Sequence, residues 1–149
     1  MLKIVSASIL DVGSLRTLEN ACFNKDAWGL LNLMAVLTFP DIVRLKAVEN
    51  GEMVGFVAGD PRPSKGFAWI ATIGVDPRYQ RQGIGRALLR ACEAEIKLPA
   101  IRLTVRMSNS PAMRLYEQEG YRTVDIWKGY YNDGEDGVIM EKPLPAAGS

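Results

Sequence analysis

Apolar and polar residues alternate along this 149-residue chain with two different periods, and each period predicts a different kind of element. Strands are predicted where apolar residues alternate with polar ones or form short β-branched runs. Helices are predicted where apolar residues recur every three or four positions. The predicted strands cover residues 2–7, 42–48, 53–58, 67–75, 101–105, 121–131 and 137–142, and the predicted helices cover 11–22, 28–37, 83–96 and 110–119.

Short polar signals mark where these elements begin and end. Asn50-Gly51 lies between two strand-like runs and is typical of a tight antiparallel hairpin. Asp11 and Ser110 are expected to cap the first and last helices, because their side-chain oxygens accept hydrogen bonds from unpaired N–H groups. Pro111 suits the first helical position, and Gly120 suits the left-handed position just beyond the helix.

The order of elements, β-α-α-β-β-β-α-β-α-β-β, predicts an α+β (mixed α/β) fold rather than a strictly alternating one. The strands that flank the helix at 83–96 are expected to be parallel and joined by a right-handed crossover. A chain of 149 residues, 48% hydrophobic and 23% charged, suits one hydrophobic core. We therefore expect a single domain over residues 1–149, with a packed part from about 2 to 142 and a frayed tail over 143–149.

The charge balance favours neither a nucleic acid nor a membrane as partner. Net charge is +1, so no strong field surrounds the molecule. The most apolar helical stretch, residues 30–39, is far shorter than the roughly 20 residues that span a bilayer. The chain has no histidine and only two cysteines, both in predicted helices, so we expect no metal and a reducing, cytoplasmic location. A local basic cluster suits a small anion; it comprises Arg78, Arg81, Arg86 and Arg90.

Residues 73–89 form a strand, a turn and a helix start that suit a phosphate group. The apolar strand ends before Asp76-Pro77, and an amphipathic helix begins at about Gly83. The first turn of a helix leaves N–H groups unpaired, and Gly83 and Gly85 let an oxygen approach this backbone. Ordinary turn chemistry is the alternative interpretation. The pattern is neither a dinucleotide fingerprint, which needs glycine at Leu88, nor a P-loop, which needs Gly-Lys-Ser/Thr.

The motif in this turn, Gln80 to Gly85 (Q-x-x-G-x-G), resembles the acetyl-coenzyme A (acetyl-CoA) signature of the GNAT acetyltransferase superfamily. A second block, Asn109 to Tyr116 followed by Gly120-Tyr121, is similar to the block after the fifth strand of many such enzymes. The ending, Gly129 to Tyr131 and Asp136 to Met140, resembles that of the ribosomal-protein-alanine (RimI-like) N-terminal acetyltransferases. The resemblance implies a GNAT-like fold, a central, mixed, mostly antiparallel sheet of about seven strands flanked by about four helices.

The resemblance also implies where acetyl-CoA, the cosubstrate, would bind. The backbone at Ile73, Gly74 and Val75 would pair with the pantetheine arm as an added strand. Such pairing needs an exposed edge, which the family provides where the fourth and fifth strands splay apart, here between Ile73–Val75 and Leu103–Val105. Asn109 would reach the pantetheine amides. The pyrophosphate would be held at Arg81, Gln82, Gly83, Ile84, Gly85 and Arg86.

The implied chemistry is direct attack of a neutral amine on the thioester carbonyl. The N–H of Val75 would polarise the carbonyl oxygen, and Tyr116, also in contact with the cofactor, would donate a proton or a hydrogen bond to the departing sulfur. The alternative interpretation of Tyr116 is an aromatic ring packed on the sheet. Tyr131 would take part in proton transfer; alternatively, Tyr130 and Tyr131 are strand residues without a role. The implied acceptor-binding residues are Phe23, Trp28, Tyr130 and Tyr131.

The sequence departs from the RimI-like pattern at the residue that would accept the proton. The carboxylate carried on the fifth strand of those enzymes falls at Thr104, and the fourth strand has no acidic residue. Without a strong base, an α-amino group with a pKa of about 7.7–8.0 is a better acceptor than a lysine at about 10.4. Water relayed through Tyr130 or Tyr131 and a loop carboxylate such as Asp26 are both open as proton acceptors.

Three functions remain open on the sequence alone. The first is acetylation of protein or peptide N-termini. The second is acetylation of a small amine, such as a polyamine, an antibiotic or an amino acid, for which residues 133–136 could supply acidic groups. The third is a CoA-binding sensor or scaffold without turnover, which the missing base favours and Tyr116 disfavours. Monomer and homodimer are equally open.

Overall fold

A computed structural model describes residues 1–23 and 29–145, and its elements follow the predicted order. None of the helices described is long and apolar enough to cross a membrane. The strands are β1 (Lys3–Ser6), β2 (Val43–Glu49), β3 (Glu52–Arg62), β4 (Phe67–Val75), β5 (Ala100–Arg106), β6 (Arg122–Trp127) and β7 (Gly137–Pro143). The α-helices are α1 (Val12–Phe23), α2 (Leu30–Thr38), α3 (Ile84–Glu95) and α4 (Ser110–Gln118).

The strands form one mixed, mostly antiparallel sheet in the order β1-β2-β3-β4-β5-β7-β6. The parallel pair is β4 and β5, which match from Phe67 with Ala100 to Trp69 with Arg102. The predicted hairpin joins β2 to β3, and Asn50 and Gly51 both have the positive φ that such a tight turn requires (51° and 79°). The predicted α+β fold with seven strands and four α-helices, counted over the described residues, is confirmed.

The structure divides into two compact units, of which the first comprises Met1–Asp60 and Ala71–Ile96. In this unit, α3 buries one apolar stripe and exposes its opposite face, as a helix packed on a sheet does. The fully buried members of the stripe include Leu88 and Cys92. A separate core cluster joins α1, α2 and β3; it includes Leu15, Leu18, Leu33, Val36, Leu37, Phe56 and Ala58.

The second unit comprises Pro61–Ile70 and the chain from Lys97 onward. Side chains of β5 alternate as predicted: Ile101, Leu103 and Val105 are buried, whereas the residues between them are half-buried. Strand β7 pairs with β5 on one side and β6 on the other, and β6 is exposed along its whole length. The single domain expected over residues 1–149 stays a prediction.

Several predicted boundaries are wrong by a few residues. Ser8 rather than Asp11 is the first cap: the two residues form a capping box on a 3-10 turn that precedes α1. Asn109 rather than Ser110 caps α4, since its Oδ1 accepts a hydrogen bond from the Ala112 N–H at 3.3 Å. Both errors arise because neighbouring residues are equally good caps. Strand β3 continues to Arg62, beyond the end predicted at residue 58.

Candidate active site

The predicted phosphate-binding turn lies in the first unit, between the end of β4 and the start of α3. Gln80 is extended, and Arg81 and Gly83 both adopt the left-handed conformation, with φ of 66° and 80°. A left-handed residue in a turn points successive N–H groups to one side and so forms a concavity that binds anions. Space beside Gly83 is open, because nothing lies within 4 Å of the position that a Cβ would take. The turn therefore fits a phosphate oxygen.

Only part of the predicted basic cluster serves this turn. Arg78 is engaged by Asp76, with 2.9 Å between Nη2 and Oδ2, and Asp76 also accepts the Arg78 N–H at 2.9 Å. The hydrogen bonds from Arg78 lower the pKa of the Asp76 carboxyl. Arg81 is exposed at the centre of the turn, whereas Arg86, in the first turn of α3, is half-buried. Arg81 is thus the arginine best placed to add positive charge to the concavity.

The end of β4 is held by groups from three directions. The carbonyl oxygen of Val75 accepts a hydrogen bond from Cys22 Sγ at 3.2 Å and a longer one from Gln80 Nε2 at 3.4 Å. The N–H of Asp76 donates to the Val54 carbonyl at 2.8 Å. The peptide between Val75 and Asp76 is therefore fixed at both ends. Gln80, the first residue of the Q-x-x-G-x-G motif, contributes here by bracing the backbone.

Glu19 is a buried residue beside this strand that the predicted site did not include. It is 2% exposed, and its Oε2 accepts a hydrogen bond from Thr72 Oγ1 of β4 at 2.9 Å. A signal was present, since Glu19 lies on the apolar stripe of α1 between Leu15 and Cys22, where an unpaired charge is rarely buried. Burial, with smaller effects of Glu19 and Asp76, raises the pKa of Cys22 to about 11, so its thiol stays protonated and can donate.

The other predicted catalytic residues lie in the second unit. Tyr116, on α4, is 9% exposed, and its ring packs edge-on against Tyr121 with 5.9 Å between centroids. Burial, with a smaller effect of Tyr131, raises the pKa of Tyr116 to about 12. The phenol is therefore protonated at physiological pH, and it can donate a hydrogen bond but cannot act as a base. Because the Asn109 side-chain oxygen caps α4, its amide hydrogens are the part that a ligand carbonyl would meet.

Tyr130 and Tyr131 lie in a loop, so their interpretation as alternating strand residues is wrong. Strand β6 ends at Trp127, and Gly129 then adopts a positive φ of 61° with its N–H donating to Asp136 Oδ1 at 2.9 Å. These two features stop the strand. The rings of Trp127, Tyr130 and Tyr131 follow one another, with centroids 5.2 and 5.0 Å apart. Tyr130 is 51% exposed and is the most accessible of the three.

The acidic residues of this loop, which spans residues 128–136, all bind groups of the protein itself. Arg106 Nη1 lies 3.0 Å from Asp133 Oδ2 and 2.7 Å from Glu135 Oε1. Asp136 accepts the Gly129 N–H and lies 3.3 Å from Lys128 Nζ. Hydrogen bonds from Ser108 and Arg106 lower the pKa of Glu135, and the hydrogen bond from Gly129 lowers that of Asp136.

The structure thus brings the predicted residues together in two sets. Ile73–Val75 and Arg81–Arg86 adjoin in the first unit, with Phe23 of α1 beside them. Asn109, Tyr116 and the tyrosine pair belong to the second unit. Trp28 and Asp26 lie outside the described residues. Within residues 1–23 and 29–145, no group of three His, Cys, Asp or Glu side chains is placed to hold a metal ion.

Comparison with known proteins assigns the chain to a family. Residues 14–121 match the model of the acetyltransferase (GNAT) family. The chain therefore belongs to this family, as its motifs predict.

The relatives include enzymes named for N-terminal acetylation. The N-alpha-acetyltransferase of Sulfurisphaera tokodaii is 37% identical over 111 residues, which are 64% of this chain and 65% of that protein. The ribosomal protein bS18-alanine N-acetyltransferase of Escherichia coli K12 is 37% identical over 108 residues, 68% of this chain and 72% of that protein. This chain thus spans just under two thirds of the length of the Sulfurisphaera relative.

A solved structure agrees over almost the full length. The crystal structure of the ribosomal-protein-S18-alanine N-acetyltransferase from Escherichia coli has a TM-score of 0.89 and 31% identity, and the match covers 100% of this chain and 97% of that one. The predicted likeness to the RimI-like enzymes is confirmed.

Proposed function

We propose that this acetyltransferase moves the acetyl group of acetyl-CoA to the α-amino group of a protein or peptide N-terminus in the cytoplasm. Membership of the GNAT family and the two left-handed residues of the turn support acetyl-CoA as donor. The names of the relatives support an N-terminal amine as acceptor. The two cysteines are free thiols, which suits a reducing compartment.

The first unit would bind and polarise the donor. Backbone N–H groups from Arg81 to Arg86 would hold the pyrophosphate, and the edge of β4 at Ile73–Val75 would pair with the pantetheine arm. The Val75 N–H would polarise the thioester carbonyl, a task for which a fixed donor is worth more than a mobile one. Hydrogen bonds at the Val75 carbonyl and the Asp76 N–H hold the next peptide, and so limit the movement of the strand end that carries this N–H. The family resemblance assigns the Asn109 amide to a pantetheine carbonyl.

Tyr116 would serve as a hydrogen-bond donor to the departing sulfur rather than as a full acid. Its pKa of about 12 lies above the value of about 8.5 for a free thiol. Complete transfer of its proton would be uphill by about 3.5 pKa units, or about 5 kcal/mol. The O–H would still stabilise the charge that develops on sulfur. As the C–N bond forms and the C–S bond breaks, the proton lost by the amine would pass through water and Tyr131 to the thiolate.

The structural observation that favours an N-terminal amine over a polyamine is that the acidic side chains of the loop are already bound to groups of the protein. A polyamine requires carboxylates that are available to it, but Asp133 and Glu135 are bound to Arg106, and Asp136 to Gly129 and Lys128. The strands β4 and β5 contain no acidic residue to serve as a strong base. An α-amino group is already about one third neutral near pH 7.5 and has little need of one.

The test is release of CoA thiol from acetyl-CoA with matched acceptors. One peptide has a free N-terminus, a second has the same sequence with a blocked N-terminus and an internal lysine, and spermidine represents small amines. We expect turnover with the free N-terminus only. The rate should rise from about pH 6.5 to 8.5 as the acceptor loses its proton. Ionisation of Tyr116 should not lower the rate below pH 10, since its pKa is about 12.

Two outcomes would overturn the proposal. Turnover with spermidine but not with either peptide would establish a small-amine acetyltransferase. Tight binding of acetyl-CoA without turnover on any acceptor would contradict it, in favour of a sensor or scaffold or of an enzyme that needs a partner subunit.

A further inference from the structure

Arg106, at the end of β5, makes contacts that neither the sheet nor the acetyl-CoA motif requires. Its Nη1 donates to Asp133 and Glu135 at 3.0 and 2.7 Å, and its Cζ lies 4.2 Å from the centroid of the Tyr131 ring. The Arg106 side chain is only 16% exposed. One guanidinium therefore binds two carboxylates edge-on and one aromatic ring face-on, away from most of the solvent.

Glu135 connects Arg106 to the backbone around Tyr131 through hydrogen bonds. Its Oε2 accepts the N–H of Ser108 at 2.7 Å, which ties the loop to the turn between β5 and α4. Its carbonyl oxygen accepts the Tyr131 N–H at 3.1 Å, and the Tyr131 carbonyl accepts the Gly134 N–H at 2.9 Å. The conformation of Tyr131 thus depends on the residue that Arg106 binds.

The geometry points to Arg106 as a positioning residue: it holds Tyr131 and the loop of residues 128–136 in the conformation that receives the acceptor amine. Its effect on the acceptor rests on the proposed function, whereas its hold on the loop is independent of any activity. Arg106 would contact neither acetyl-CoA nor the amine, and would act through Glu135 and Tyr131.

The arrangement suits an arginine better than a lysine. A planar guanidinium binds several carboxylate oxygens and stacks on a ring at the same time, whereas a lysine offers a point charge that does neither well. Exposed ion pairs contribute little, but here the Arg106 side chain is shielded, at 16% exposed, and it joins two carboxylates and a ring in one network. Asp133 and Glu135 both lie within 3.0 Å of the same nitrogen, Arg106 Nη1. Removing the guanidinium would leave these two negative charges close together, and they would repel each other.

Arg102 provides a matched control on the same face of the same strand. Its Nε lies 2.7 Å from Glu141 Oε1, and its Cζ lies 4.3 Å from the centroid of the Phe67 ring. Arg102 therefore has the same chemistry, an acid and an aromatic ring, but its partners are on strands β7 and β4. Replacing it removes a comparable contact whose two partners both lie outside residues 128–136.

The experiment compares Arg106→Gln with Arg102→Gln in two measurements. The first is the KM for the free N-terminal peptide and for acetyl-CoA. We expect Arg106→Gln to raise the peptide KM about tenfold or more, with the acetyl-CoA KM within about twofold and Arg102→Gln close to the wild type. The second is amide hydrogen exchange at Ser108, Tyr131 and Gly134, which should become about tenfold faster in Arg106→Gln only. Glu135→Gln added to Arg106→Gln should cause little further loss, since both act on one network.

Other results would overturn the inference. Unchanged exchange at these amides in Arg106→Gln would show that Arg106 does not hold the loop, even if the wild type is inactive on peptides. Faster exchange with an unchanged peptide KM, in an active enzyme, would show that the loop conformation does not matter for the acceptor. Equal effects of the two arginine variants, or additive losses with Glu135→Gln, would also contradict it. Failure of the proposed function alone would appear as an inactive wild type with the exchange pattern intact.

Discussion

The turn of residues 80–84 would bind a ligand through backbone N–H groups, whereas the loop of residues 128–136 presents aromatic rings and phenols. The turn owes its form to left-handed residues at Arg81 and Gly83. The loop owes its form to side chains, above all Arg106, Glu135 and Asp136. A site built from backbone tolerates many side-chain changes, whereas a site built from side chains depends on each of them.

The two regions are also supported differently. Behind the turn, α1 reaches β4 through single hydrogen bonds, from Cys22 to Val75 and from Thr72 to Glu19. Around the loop, several charged groups and a ring meet at Arg106. We therefore expect substitutions around the loop and at Tyr116 to alter catalysis strongly, and substitutions around the turn to alter donor binding modestly.

The largest expected effect is that of Tyr116→Phe, which removes only the phenol oxygen of the proposed hydrogen-bond donor. We expect kcat to fall about 100-fold, because one hydrogen-bond donor aimed at the charge that develops in the transition state typically contributes about 100- to 1,000-fold. The KM for acetyl-CoA should stay within about twofold, since backbone groups bind the donor. Steady-state kinetics at saturating peptide measures both.

Tyr121→Phe is the control for Tyr116→Phe. Tyr121 is also buried, at 1% exposed, and its ring touches that of Tyr116, but no role in catalysis is proposed for it. This variant should lose some stability and keep its kcat. Equal kcat values for the two variants would mean that Tyr116 only packs on the sheet. This result would contradict the expectation that side-chain groups alter catalysis more than the turn does.

Much of the fold was predictable because it depends on neighbours in sequence. Strand β4 has the predicted bounds, and α3 is a helix with one buried apolar face, since both follow from the period of apolar residues. The end of β6 was not predictable in this way. It depends on the hydrogen bond from Gly129 to Asp136, two residues that face each other only after the loop has closed.

The candidate site divides in the same manner. The turn was predictable, because its glycines and its position between a strand and a helix are visible in the sequence. Arg106 and Glu135 are 29 positions apart, and Glu19 and Thr72 are 53 apart, so nothing in the sequence connects them. A glutamate on an apolar helical stripe was the one signal available, and it marks burial without naming the partner.

A smaller effect is expected for Cys22→Ala, which removes a donor behind the turn. Loss of one hydrogen bond to the Val75 carbonyl should cost about 1 kcal/mol of stability, which corresponds to at most roughly a fivefold decrease in kcat/KM for acetyl-CoA. Cys22→Ser keeps a donor and should stay within about twofold. Cys92→Ala is the control: this thiol is fully buried on α3, so its loss should lower the melting temperature but not kcat/KM. A serine variant as impaired as the alanine variant would contradict the role of the hydrogen bond.

The smallest effect, and the sharpest test of a backbone site, is expected for Arg81→Gly compared with Arg81→Ala. Both variants lose the exposed charge, which should raise the KM for acetyl-CoA by only about twofold to fivefold. They differ in strain, because Arg81 has a φ of 66° that is unfavourable for any residue with a Cβ. Glycine would relieve about 1–2 kcal/mol of backbone strain in the folded protein, but its greater freedom in the unfolded chain costs about 0.5–1 kcal/mol. Arg81→Gly should therefore be more stable than Arg81→Ala by about 0.5–1 kcal/mol. Chemical denaturation measures this difference. A large rise in KM shared by both variants would instead show that the guanidinium, and not the backbone, binds the donor.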